Sequence, residues 1–263
     1  MIGVCSEMDE LSFDLTGRKA LVTGGNTGIG LGIAKGLAAA GAVVAIVGRN
    51  EEKNAAAVKE INEIRPGCMA LAFDLENTEQ IGDAYADISG KMDGLDILVN
   101  NAGVISRVRA DQVPIEQFKR IVNINLTAPY VLSQCFARER IEKKVPGGII
   151  MIASLASEGS RPSVSAYTAA KGGIRQLIKA LAVDWAPFGI RVNGIGPGFI
   201  RTGMTRPLAD DPDFDAWVVK RTPLGRWGRP GDLAGAAVFL ASSAAAFVTG
   251  HILYVDGGWL ANF

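Results

Sequence analysis

Histidine is almost absent: His251 is the only one among 263 residues, and it directly precedes an apolar run. A Ser-His-Asp or Cys-His hydrolase would have to route its chemistry through that imidazole, so hydrolysis of that kind is disfavoured. Cysteine is scarce as well. Cys5, Cys68 and Cys135 are odd in number, widely spaced and free of any CxxC pair. That argues against a disulfide framework or a zinc site and fits a reducing compartment, the cytoplasm. Net charge is missing too, because 27 Lys plus Arg balance 27 Asp plus Glu. No basic excess points to nucleic acid or to an anionic membrane surface. Long apolar runs are lacking: residues 37–47 are too few to span a bilayer, and residues 233–248 are broken by Gly235, Ser242 and Ser243. Residues 1–14 are acidic, without a basic or apolar signal-peptide region, and read as a polar leader.

What is present is a foldable composition, 48% apolar and 21% charged, at a length suited to one large domain over residues 1–263. Short apolar, mostly β-branched runs at 20–22, 43–47, 70–73, 97–99, 149–152, 192–195 and 252–255 read as strands. Helical patterns lie between them at 29–40, 51–64, 78–88, 115–137, 166–186 and 232–242. Continuous apolar strands alternating with helices predict a doubly wound α/β fold, a parallel seven-stranded Rossmann-like sheet covered on both faces. The irregular stretch 197–229 carries Pro197, Pro207, Pro212 and Pro223. It is expected to overhang the carboxyl ends of the strands as a substrate lid.

Glycine is plentiful, 32 residues, and clustered. The first strand runs into Thr23-Gly24-Gly25-Asn26-Thr27-Gly28-Ile29-Gly30 ahead of a helix. Such a turn permits a tight bend and lets a pyrophosphate meet free N–H groups at the positive end of the helix, so a dinucleotide is the expected ligand. Close helix-to-sheet packing with no ligand is the alternative, and the absence of a GK[ST] sequence disfavours nucleoside triphosphate chemistry. At the end of the second strand Gly48 leaves room and Arg49 offers a planar cation, which favours a 2′-phosphate and hence NADP(H), with NAD(H) possible. Arg49 is otherwise a solvated strand-end charge. Asp74 either accepts from the adenine amino group or caps the next helix. Asn101, Ala102 and Gly103 either pass beside a ribose or form a plain turn.

Tyr167 and Lys171 are four apart in a helical pattern and project from one face. An ammonium beside a phenol favours the phenolate, which would bring a group that ordinarily titrates at about 10 toward useful acid-base chemistry. Ser154, just after the fifth strand, is placed to hydrogen-bond a substrate carbonyl or developing alkoxide. Each taken singly also has an ordinary reading, as a turn serine or a helix-surface pair.

With TGGNTGIG, NNAG, VNINL, IASLAS, YTAAK, RVNGIGPG and VDGG in that order, the chain resembles the short-chain dehydrogenases/reductases over nearly all of residues 15–258. The resemblance implies a catalytic set of Asn125, Ser154, Tyr167 and Lys171. In it the tyrosine is acid or base, the serine orients the carbonyl, and the lysine holds the nicotinamide ribose and lowers the tyrosine pKa. Asn125, which alone reads as a helix interruption, is implied to hold a water in the proton relay. The full expected cofactor set is Gly24, Asn26, Thr27, Gly28, Ile29, Gly30, Arg49, Asn50, Asp74, Leu75, Asn101, Ala102, Gly103, Tyr167, Lys171, Pro197, Gly198, Ile200 and Thr202.

The carboxyl-terminal third, residues 217–230 and 254–260, is similar to gluconate 5-dehydrogenases and 2-deoxygluconate 3-dehydrogenases. A sugar acid or polyol is therefore the expected substrate, with Arg107 and Arg161 as candidate carboxylate partners beside Ser154. Reduction of a 3-oxoacyl group on acyl carrier protein is the alternative, and a non-catalytic dinucleotide-binding protein a remote one. No metal site is expected. Ile174, Leu177, Leu181 and Trp185 suggest apolar surface beyond the needs of one sheet face, and the resemblance implies a homotetramer.

Overall fold

Successive side chains of a strand point to opposite faces, so an all-apolar strand must be buried on both sides. The computed structural model, which describes residues 12–262, shows this division. Cys5 and most of the expected leader lie outside the described residues. From the leader, Phe13 sets its ring 6.3 Å from that of Phe239.

The strands are β1 Lys19–Thr23, β2 Val43–Gly48, β3 Met69–Ala72, β4 Ile97–Asn100, β5 Gly147–Ile152, β6 Ile190–Pro197 and β7 Ile252–Val255. They form one seven-stranded sheet in the order β3-β2-β1-β4-β5-β6-β7, every pair parallel. Between and after them run α1 Gly28–Ala39, α2 Glu51–Asn62, α3 Ile81–Lys91, α4 Ile115–Val122, α5 Ala128–Lys143, α6 Ser165–Trp185, α7 Arg206–Ala209, α8 Pro212–Arg221 and α9 Ala234–Ala241. On one face Ala20, Val22, Ile46, Val99 and Ile150 pack with Ile33 and Leu37 of α1, Ile61 of α2 and Leu240 of α9. On the other, Leu21, Val47, Leu98 and Met151 pack with Ile88 of α3, Phe136 of α5 and Ile178 of α6. Both expected cores are therefore present, and the sheet is doubly wound.

The chain builds β1, β2 and β3 outward in one direction, then crosses back so that β4 lies on the other side of β1. Connections leaving β1 and β4 diverge there, and the crevice between them is where open α/β sheets take ligands.

Three local differences from the sequence reading matter. The single helix expected over 115–137 is two helices joined by a π-helical turn, Asn123–Thr127, in which Ala128 N–H donates to the Asn123 carbonyl. The irregular stretch 197–229 contains two helices, α7 and α8. Pro212 opens α8, and the Asp211 carboxylate caps it by accepting from the N–H groups of Asp213 and Phe214 at 3.0 and 3.3 Å. Phe199 of this stretch packs on Trp259 near the chain end at 4.8 Å and on Trp227 within the stretch at 5.7 Å, centroid to centroid. Finally, Ile174 and Leu181 of α6 are buried in the chain's own core, with Leu177 and Trp185 packed against it. The exposed large apolar side chains on α4, α5 and α6 are instead Ile115, Phe118, Tyr130 and Val183, with others, Phe247 and Leu224 among them, elsewhere on the surface. Among the described residues, no helix is long and apolar enough to cross a membrane.

Candidate active site

A cleft of about 610 Å³ opens at the carboxyl ends of β1 and β4. Its first wall is the glycine turn. Gly24 and Gly28 have φ of +62° and +55°, a left-handed conformation costly for other residues. A Cβ on Gly30 would stand 2.2 Å from the Gly24 carbonyl oxygen, so only glycine lets α1 begin this close to the turn. Thr27, the residue before α1, makes no side-chain cap, and the first turn has no acidic residue. The leading N–H groups of α1 are thus left facing the cleft, with the positive end of the helix dipole behind them.

The turn is held by β4. Asn101 donates its side-chain amide to the carbonyls of Thr23 and Gly24 at 2.8 and 3.2 Å. The Thr23 hydroxyl in turn accepts the N–H groups of Asn101 and Ala102, both at 3.0 Å. Asn101 therefore lines the cleft while its amide clamps β1 to β4, a structural duty that the expected ribose contact did not include.

The second wall carries Arg49, Asn50, Asp74 and Leu75. Asn50 caps α2 by accepting from Lys53 N–H at 2.8 Å. Asp74 accepts from Glu76 N–H at 3.0 Å and faces Arg49 at 3.4 Å, the latter as a mostly exposed pair that holds Arg49 only weakly. The room expected above Gly48 is not open: the amide of Asn26 and the side chain of Asn54 fill it. Lys53, Phe73, Val104, Gly203 and Met204 also line the cleft and were not singled out in the sequence. A lysine one turn into a helix and loop apolar residues carry no local motif by which to find them.

At the inner end of the cleft are Asn125, Tyr167 and Lys171. Asn125, 1% exposed, sits in the π turn. Its amide donates to the carbonyls of Val104 and Ile121 at 2.9 and 2.8 Å and its oxygen accepts from Val104 N–H at 3.2 Å. The side chain is therefore fully engaged in tying α4 to the loop after β4. Tyr167 and Lys171 project together from α6, with the Lys171 ammonium 5.7 Å from the centroid of the Tyr167 ring.

The electrostatics differ from the sequence expectation. Lys171 donates to the Ile152 carbonyl at 2.5 Å, and burial brings its pKa down to about 8. Burial also raises the Tyr167 phenol above its ordinary value; opposing this are a hydrogen bond from Ser154 and the positive fields of Arg161 and Arg107. The two arginines add positive fields at the phenol, while the Lys171 ammonium sits over the ring and is anchored to the Ile152 carbonyl. Ser154 accepts from Ala156 N–H at 3.1 Å and is not among the residues lining the cleft; its hydroxyl acts to lower the Tyr167 pKa.

Thr202 reaches the cleft from the segment after β6, but Pro197, Gly198 and Ile200 are not among its lining residues. Ile200 is buried in the core and, with Gly198, borders a separate cavity of about 110 Å³. Arg107 donates to the Met204 carbonyl at 3.2 Å, and Arg161 lies 5.8 Å from the centroid of the Phe214 ring of α8. Burial, then the nearby charge of Arg107, lowers the pKa of Arg161. Among the described residues neither arginine has a carboxylate partner.

The residues fit a dinucleotide: a crevice at the strand-order reversal, an uncapped helix start at its mouth, and a phenol and ammonium at its inner end. Comparison with known proteins agrees. Residues 24–260 match a family model described as enoyl-(acyl carrier protein) reductase. The chain is 44% identical over 253 residues to 2-dehydro-3-deoxy-D-gluconate 5-dehydrogenase of Bacillus subtilis, covering 95% of this chain and 98% of that one. It is 41% identical over 251 residues to gluconate 5-dehydrogenase of Gluconobacter oxydans, covering 94% and 96%. Among solved structures, a gluconate 5-dehydrogenase from Burkholderia cenocepacia in complex with NADP and tartrate superposes with a TM-score of 0.91 at 41% identity, covering 95% and 98%. With this fold, this cleft and these relatives, the chain belongs to the short-chain dehydrogenase/reductase family of NAD(P)-dependent oxidoreductases.

Proposed function

We propose that the protein interconverts a keto group and a secondary alcohol on a sugar acid of the gluconate type, using NADP(H). The observation that carries the substrate class is the pair of arginines without carboxylate partners whose fields reach Tyr167. Arg161 is half-buried and lacks a counter-ion, and a substrate carboxylate would supply one while placing its carbon chain along the phenol. The names of the relatives, gluconate 5-dehydrogenase and 2-dehydro-3-deoxy-D-gluconate 5-dehydrogenase, support the same class.

When bound, NADP(H) supplies or accepts the hydride. In the reductive direction Tyr167 gives its phenolic proton to the carbonyl oxygen as that oxygen becomes an alkoxide, and in oxidation it takes the proton back. Ser154 holds the same oxygen by its hydroxyl, favouring the charge that develops there. Lys171, poised near neutral pH and hydrogen-bonded at Ile152, holds the ribose side of the cleft and passes a proton toward solvent. Asn125 keeps the π turn and the loop after β4 in register around this route. Arg49, held only weakly by Asp74, would hold the adenosine 2′-phosphate of NADP(H).

The segment 197–229 acts as the substrate lid, since Thr202, Gly203 and Met204 enter the cleft and Phe214 meets Arg161. The protein works in the cytoplasm as a homotetramer that covers the exposed apolar residues of α4, α5 and α6. Light scattering on a sizing column tests the latter, and a monomer at micromolar concentration would refute it.

The test of function is the loss of reduced-nicotinamide absorbance with NADPH or NADH across keto-gluconates, neutral ketoses and an acetoacetyl thioester. Turnover with NADPH and a keto-gluconate is expected to exceed that with the neutral sugars and the thioester. A preference for the thioester would overturn the substrate class.

A further inference from the structure

Gly48 ends β2 beside the cleft, yet it is not an empty position. A Cβ built there would stand 2.3 Å from Asn26 Nδ2 and 2.6 Å from Asn54 Oδ1. These two side chains are bonded to one another, Asn26 Nδ2 donating to Asn54 Oδ1 at 2.7 Å. Asn54 Nδ2 donates to the Gly48 carbonyl at 2.8 Å. Asn54 is 4% exposed, lies on α2 and does not line the cleft, whereas Asn26 and Gly48 do. One buried amide therefore joins the glycine turn, the end of β2 and the first turns of α2.

We propose that Asn54 is a positioning residue for cofactor choice: it holds Asn26 over Gly48 and closes the place from which a strand-end carboxylate would reach a ribose 2′-hydroxyl. A side chain at that strand end is the usual means of selecting the cofactor without a 2′-phosphate. Here the interlock occupies its space, so Arg49 is the strand-end side chain left to meet the 2′ substituent. Glycine at 48 is then a consequence of the asparagine pair, and the preference for NADP(H) is set by Asn26, Asn54, Gly48 and Arg49 acting together. This rests on the reading that NADP(H) occupies the cleft.

Two consequences separate this from simple packing. Replacing Asn54 alone releases Asn26 into the cleft and removes the wall beside Gly48. Replacing Gly48 by an acid, with both asparagines in place, forces the new side chain against two amides and displaces the turn. The same acid should be accommodated once Asn54 is shortened.

The experiment compares wild type with Asn54→Ala, Asn26→Ala, Gly48→Asp and the Gly48→Asp/Asn54→Ala double variant. Calorimetric binding of NADPH and NADH is measured without substrate, with kcat, KM and Tm alongside. For Asn54→Ala the NADPH Kd and KM are expected to rise about tenfold with kcat at saturation within about twofold, and the NADPH-over-NADH preference to fall by a similar factor. Asn26→Ala should shift the preference the same way without touching α2, which keeps the test open if Asn54→Ala folds poorly. Gly48→Asp should lose both cofactors, and the double variant should regain NADH. Unchanged cofactor constants in both asparagine variants, or efficient NADH use by Gly48→Asp alone, would overturn the proposal. Wild type that fails to bind NADPH would instead overturn the cofactor reading, and this inference with it.

Discussion

Arg161 and Tyr167, the latter at the inner end of the cleft, act on each other's charge. The arginine pulls the phenol toward ionisation, and the phenol draws the guanidinium toward its charged form. If a carboxylate is the missing third partner, Arg161→Met should raise KM for a keto-gluconate about 10- to 100-fold, the value of a charge-assisted hydrogen bond of about 1.5–3 kcal/mol. Its KM for a neutral ketose should stay within about twofold. Steady-state kinetics on the two substrates checks this, and an equal loss on both would mean the arginine only shapes the loop. The roles of single residues were partly legible in the sequence. Tyr167 and Lys171 share a helix face because four residues make about one turn, and the structure brings both to the cleft. What their spacing could not reveal is that the ammonium would bond the Ile152 carbonyl and lie over the ring. That depends on how α6 is laid against the carboxyl end of β5, which the spacing alone does not set.

At the scale of elements, the glycine turn is the most constrained piece. Gly30→Ala places a methyl group 2.2 Å from backbone oxygen, so either α1 or the turn must move. A loss of about 1–3 kcal/mol in stability is expected, together with loss of cofactor binding. Chemical denaturation and calorimetry measure the two effects, and an alanine variant that binds NADPH normally would contradict the geometry. The strands and most helices could be read from apolar pattern because burial on two faces demands it. The π turn at Asn123–Thr127 could be read only as an interruption, since its extra residue has no compositional mark. Helix α8 was missed although Asp211-Pro212 is a start signal, because the prolines around it read as loop.

For the whole molecule, the sheet order places β1 and β4 at the reversal, and everything proposed for the site follows from that crevice. The doubly wound topology was legible because parallel sheets need alternating elements. The placement of residues 197–204 was not: only Thr202, Gly203 and Met204 enter the cleft, while Ile200 turns into the core. Burial of Lys171 also marks global stability. Its pKa falls from 10.5 to about 8 on folding, so between those values the unfolded chain binds more protons than the folded one. Folding stability of the cofactor-free protein should therefore rise as pH climbs from about 8 to 10.5, and the penalty of the buried ammonium is present in full below that window. Lys171→Met should lack this rise relative to wild type in urea unfolding measured across the same range. Parallel profiles for the two proteins would contradict the assignment.

The central claim is that the Tyr167 phenol exchanges the proton with the substrate oxygen. Single-turnover oxidation of NADPH by a keto-gluconate, compared between wild type and Tyr167→Phe, tests it most directly. The expected result is a rate lowered about 10²- to 10⁴-fold, the usual contribution of a positioned acid, with the NADPH Kd within about twofold. A phenylalanine variant that turns over at the wild-type rate would contradict the account.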